Sequence, residues 1–110
     1  MVELHVRKDS RQRLSSFYAI GHAGWAESGE DIVCAAVSAV LQAAWLGLAE
    51  VRQIDVTGSR SGGRLELAWP PDTRDDLGAQ AIVATAVLSI ERMAMQFPDH
   101  VRVIIEAADG

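Results

Sequence analysis

One cysteine, one lysine and three prolines occur in 110 residues. A lone cysteine forms no internal disulfide, so the fold must rest on its core, which fits a reducing compartment. One cysteine and three scattered histidines do not make the closely spaced Cys/His sets of structural zinc. The sequence predicts neither a metal nor a cofactor. The cations are nearly all scattered arginines, aromatics make up 5%, and the formal net charge is −5. A basic stripe with interleaved aromatics is missing, so no direct contact with nucleic acid is expected. The phosphate-loop pattern is also missing, because "GSRSGG" has no lysine. "MVELHVRKDS" carries charges where a signal peptide would have an apolar centre. The most apolar run, Ile32 to Leu48, includes Gln42 and several alanines and is a little short for a membrane span. A soluble, cytoplasmic protein is expected.

An apolar fraction of 49% with mixed charges suits a globular protein. The length suits a single domain over 1–110. Val2, Leu4 and Val6 alternate with polar residues, which predicts a half-buried strand. "KDSRQ" reads as a turn and "LSSFYAIGH" as the second strand of a hairpin. "AGWAESGE" reads as a loop. Val33, Val37, Val40, Leu41, Ala44 and Leu48 then form a helical stripe that fades near Glu50. "RQIDVT" and "GRLELAW" read as a second hairpin around a "GSRSGG" turn, with Ile54 and Val56 on one face and Leu65, Leu67 and Trp69 on another. Asp75 and Asp76 precede a second helix, whose stripe is Ile82, Val83, Ala86, Val87, Ile90, Ala94 and Phe97. Pro98 ends it, and "VRVIIE" is a last strand. The order is ββαββαβ. It predicts an α+β two-layer sandwich, with both helices on one face of a largely antiparallel sheet. The last six elements share the order of ferredoxin-like folds.

The stretch "GHAGWAESGEDIVCAAVS" holds the chemistry. Cys34 near a helix start would feel unpaired N–H groups and the positive dipole end, which favour a thiolate. In a helix that begins at Glu30 or Asp31, the first turn includes it. The plainer reading is a small buried hydrophobe, since free cysteines are commonly core residues. His22 ends the preceding strand, and the loop between is long enough to fold back. A Cys–His pair in hydrogen-bond reach would activate the thiol and protonate a leaving group. Gly24 and Gly29 bracket Trp25, the best candidate for a substrate contact from the loop. Asp31 reads first as a helix-start residue and second as an orienter of His22. Ser38 lies one turn beyond Cys34 on the same face and either serves the site or bonds back to its helix. His5 and His100 read as solvated. A peptidase, a thiol enzyme of another kind such as a thioesterase, and a non-catalytic binding module with Cys34 as core filler all remain open on these grounds.

"GHA", a glycine-containing loop and "DIVCAAVS", with the closing "FPDHVRVIIE", resemble the bacterial ribosomal-processing cysteine proteases, Prp, over nearly the whole chain. The resemblance implies a Cys34 nucleophile, a His22 base flanked by Gly21 and Ala23, and supporting polar positions at Asp31 and Ser38. It implies a substrate as well: the large-subunit ribosomal protein numbered twenty-seven, carrying an N-terminal extension that is cut off. It further implies a homodimer.

Overall fold

The computed structural model describes residues 1–21 and 30–107, with the side chains of Glu30 and Asp31 left undescribed. Five strands and two long helices follow in the order expected. β1 spans Val2–Lys8 and β2 spans Leu14–Ile20. The helix α1 covers Glu30–Leu46 and runs into one turn of π-helix, Gly47–Val51, so the helical rod ends beside Glu50, as expected. β3 (Thr57–Ser61) and β4 (Arg64–Ala68) form the second hairpin. A 3-10 turn at Pro71–Thr73 leads to α2, Leu77–Gln96, and β5 closes the chain at Val101–Ala107.

The sheet order is β3-β4-β2-β1-β5. β1–β2, β2–β4 and β3–β4 are antiparallel, and β1–β5 is parallel. The four strands β2 to β5 therefore keep a ferredoxin-like arrangement, and β1 is inserted between β2 and β5. That insertion makes β1 a central strand, paired on both sides.

Alternation sorts each strand into two faces. Val2, Leu4, Val6, Phe17, Ala19, Leu65, Leu67 and Trp69 are buried on the helix side. α1 contributes Val33, Val37, Leu41, Ala44 and Leu48, and α2 contributes Val83, Ala86, Val87 and Ile90. Their stripes meet this sheet face in one core. Phe97 leaves the stripe expected of it and is 45% exposed, because the helix ends at Gln96 and Phe97 turns away as the cap residue. Ile32–Val51 and Leu77–Gln96 have the length and mean hydropathy of membrane spans. Each nevertheless lays a buried stripe on the sheet, as a core helix does.

The second hairpin differs from the sequence reading. Thr57–Ser61, read as mostly turn, is strand, while Ile54 and Val56, read as strand, belong to the connection before it. Only Gly62 and Gly63 turn, with φ of 58° and 76°. Two successive left-handed residues suit a tight hairpin, and glycine adopts that conformation without steric penalty. Ile54 and Val56 still pack against the core.

At one end of the sheet, Asp9 ties the β1–β2 turn to the segment after β4. Its carboxylate accepts the Arg11 and Arg13 backbone N–H groups at 2.9 and 3.0 Å, and the guanidinium groups of Arg13 and Arg74 at 3.1 and 3.2 Å. Arg74 also donates to the Trp69 carbonyl, and the Trp69 indole donates to Leu14. Asp76 caps α2 by accepting the Ala79 N–H at 2.8 Å, and Arg52 holds it in a two-pronged pair. Asp75 instead pairs with Arg13, so the two aspartates divide their work.

Candidate active site

Cys34 is the fifth residue of α1, at the start of its second turn rather than within its first. An N–H at that position joins the helical ladder, and the N–H groups without a helical partner lie earlier, at the helix start. The oxyanion donors expected near the thiol therefore belong to the turn beneath Cys34. The residue is 5% exposed and packs into the core cluster. Apolar burial disfavours a thiolate, whereas the helix start favours one. A reactive Cys34 thus needs a partner that takes its proton. His22, Gly24, Trp25 and Gly29 lie outside the described residues, as does Ala23. Asp31 is helical, and its side chain is not described.

Gly21 follows the last residue of β2, and its N–H donates to the Gly63 carbonyl at 3.0 Å. This bond fastens the end of β2, just before His22 in sequence, to the β3–β4 turn. Ser38 stands one turn above Cys34, half-buried, and its Oγ accepts from the Gln42 side chain at 2.8 Å. The hydroxyl is thus oriented by its own helix, though by a side chain rather than by the backbone. Ser38 also faces a cavity of about 410 Å³, walled opposite by Arg60, Ser61, Gly62, Gly63, Arg64 and Leu65. Sequence reasoning missed this wall, because "GSRSGG" signals a turn and gives no sign of which helix the turn faces. Close approach of β3 to α1 is built into Gly58, where a Cβ would lie 2.2 Å from the Trp45 ring.

His5 is not solvated as expected. It stacks flat on Tyr18 at 4.4 Å, with its side chain 15% exposed between Glu3 and Glu106. Arg7 and Arg64 cover the same tyrosine ring. This array occupies the sheet face away from the helices, so it is separate from Cys34. Among the described residues, no group of three or more His, Cys, Asp or Glu side chains is placed to hold a metal.

A thiol near the start of a helix, one turn from a serine that lines a groove, suits a thiol hydrolase. The family model for cysteine protease Prp matches residues 1–102. The ribosomal processing cysteine protease Prp of Bacillus subtilis is 28% identical over 109 residues, covering 94% of this chain and 96% of that protein. Its namesake from Staphylococcus aureus strain Mu50 is 29% identical over 105 residues, covering 93% and 96%. The crystal structure of Prp from Staphylococcus aureus with a substrate peptide shares the fold at a TM-score of 0.85 and 21% identity, over 96% of this chain and all of that one. A Streptococcus mutans protein superposes at a TM-score of 0.87 and 25% identity, over 98% and 99%. The chain belongs to the Prp cysteine protease family.

Proposed function

We propose that this protein is an endopeptidase that removes the N-terminal extension of a bacterial large-subunit ribosomal protein, the one numbered twenty-seven, and so supports ribosome assembly. The observation that carries this reading is Cys34 near the start of α1, one turn from the groove-lining Ser38, in a chain matched almost throughout by ribosomal processing proteases. His22 takes the proton from Cys34. The thiolate attacks the scissile carbonyl, and the unpaired N–H groups of the first turn of α1 stabilise the oxyanion. His22 then protonates the leaving amine, which departs as the new N-terminus. Water attacks the thioester with His22 again as base, and the thiol and the released extension are restored and freed. A carboxylate at Asp31 serves to orient His22. Trp25, between Gly24 and Gly29, contacts the peptide. An enzyme of net charge −5 meets a basic ribosomal protein favourably at long range.

The protein works in the cytoplasm as a homodimer, without metal or direct nucleic-acid contact. The outward helix surface supports self-association: Leu46 and Leu88 are 57% and 52% exposed, and a mostly apolar groove of about 460 Å³ runs between α1 and α2.

The test is incubation with the extended ribosomal protein and intact-mass reading of the product. The expected result is loss of the extension with the wild type and none with Cys34→Ala or His22→Ala. Retained binding without cleavage by the wild type would instead favour the non-catalytic module.

A further inference from the structure

The groove that Ser38 lines, one helical turn from Cys34, carries positive charge. The chain has fifteen acidic residues against ten basic ones, yet none of the seven described residues that line this groove is acidic. Two of them are arginines and two are serines.

The two arginines are not equivalent. Arg64 is engaged, since its guanidinium donates to Glu66 at 3.3 Å and lies 4.1 Å over the Tyr18 ring. Arg60 has no ion pair or hydrogen-bonding side-chain partner among the described residues. It is exposed on the edge strand β3 and stands in register with buried Leu65, so it emerges on the helix side of the sheet, where α1 lies. Ser38 faces it across the groove. Because the Ser38 oxygen already accepts from Gln42, its O–H remains able to donate into the cavity.

These donors call for an acceptor. A guanidinium binds a carboxylate most strongly, through two parallel N–H···O bonds, and binds a carboxamide oxygen less strongly. The position of the groove sets where that acceptor sits on a substrate. Four residues of helix separate Ser38 from Cys34, a rise of about 6 Å. An extended peptide advances roughly 3.3 Å per residue. The groove is therefore about two residues from a scissile bond placed at Cys34.

We propose that Arg60 is a specificity-determining residue, which binds an acceptor side chain of the substrate, carboxylate before carboxamide, about two residues from the scissile bond. Ser38 adds a second donor to the same acceptor. The inference rests on Cys34 being the nucleophile, and it does not depend on which protein is cut.

The experiment separates it from cleavage of any one substrate. A positional-scanning peptide library is presented to Cys34→Ala protein, and the retained peptides are sequenced. The expected result is enrichment of Asp and Glu, then Asn and Gln, at one position. Arg60→Ala should abolish that enrichment, Arg60→Lys should keep the acidic part, and Arg60→Glu should replace it with Lys and Arg. In the otherwise native enzyme, Arg60→Ala should raise KM for an enriched peptide about tenfold with kcat kept, and the difference should shrink as salt rises. Arg60 is exposed on an edge strand, so folding should be preserved, and circular dichroism checks this. An enrichment profile without an acceptor preference, or one unchanged by Arg60→Ala and Arg60→Glu, overturns the proposal. Failure to cut the extended ribosomal protein would overturn the ribosomal reading and leave this profile intact.

Discussion

At the scale of single residues, the site is a contest between burial and activation. Cys34 is nearly enclosed, as a core cysteine would be, yet it stands where helix N–H groups favour an anion. With one cysteine in the chain, intact mass after alkylation reports on Cys34 alone. Alkylation of the folded protein should lose rate in His22→Ala and regain it at higher pH. An identical pH profile in both proteins would remove the base from the mechanism. Ser38→Ala should lower kcat/KM several-fold, because it removes one neutral donor from the groove. A loss as large as that of Cys34→Ala would make Ser38 catalytic instead.

Asp9 gives a residue-scale prediction about stability. Burial raises the pKa of its carboxyl, but the hydrogen bonds from Arg13, Arg74 and Arg11 outweigh burial and bring it down to about 2. The folded protein therefore binds this proton less readily than the unfolded chain. Its stabilising contribution is complete above the ordinary carboxyl range, near pH 4, and is lost as pH falls toward about 2. Urea melts across this range should show a shallower acid loss in Asp9→Asn than in the wild type. Equal slopes would mean that the Asp9 cluster is not what acid breaks.

At the scale of elements, the strands and helices were legible where one face is buried. Val2, Leu4 and Val6 alternate because one face of β1 is covered by the helices, and the α1 stripe matches its buried residues almost one for one. The second hairpin was misread for a physical reason. Thr57–Ser61 is polar and glycine-bearing because β3 is an exposed edge strand, held by pairing with β4 and by the approach of Trp45. Ile54 and Val56 alternate like a strand, but they pack a bent connection in which the Val56 N–H donates to the Ile54 carbonyl at 2.8 Å. Gly58→Val tests this contact. A side chain there would collide with the Trp45 ring, and the account expects destabilisation of roughly 1–3 kcal/mol in denaturant melts. A neutral result would mean that β3 can shift away from α1 freely, and the groove beside Cys34 would then lack a fixed wall.

At the scale of the molecule, element order revealed the two layers but left the sheet order open. The hydrophobic pattern of β1 is the same whether it lies at an edge or in the middle. Its place between β2 and β5 follows from tertiary pairing, including a parallel pairing to a strand ninety-nine residues away. The site was legible in a similar way. Cys34 and Ser38 could be placed on one helix face by spacing, whereas the opposing wall at Arg60 to Leu65 is set by the hairpin register. The two-sided groove thus depends on α1, the β3–β4 turn and the Gly21–Gly63 bond acting together.

The central claim is that Cys34 forms the covalent bond to the peptide. The most direct measurement mixes the enzyme with the extended ribosomal protein, quenches in acid and reads both intact masses. The account predicts a shortened ribosomal protein and an enzyme heavier by the acyl group of the extension, both absent with Cys34→Ala. A shortened product formed by Cys34→Ala at the wild-type rate would contradict it.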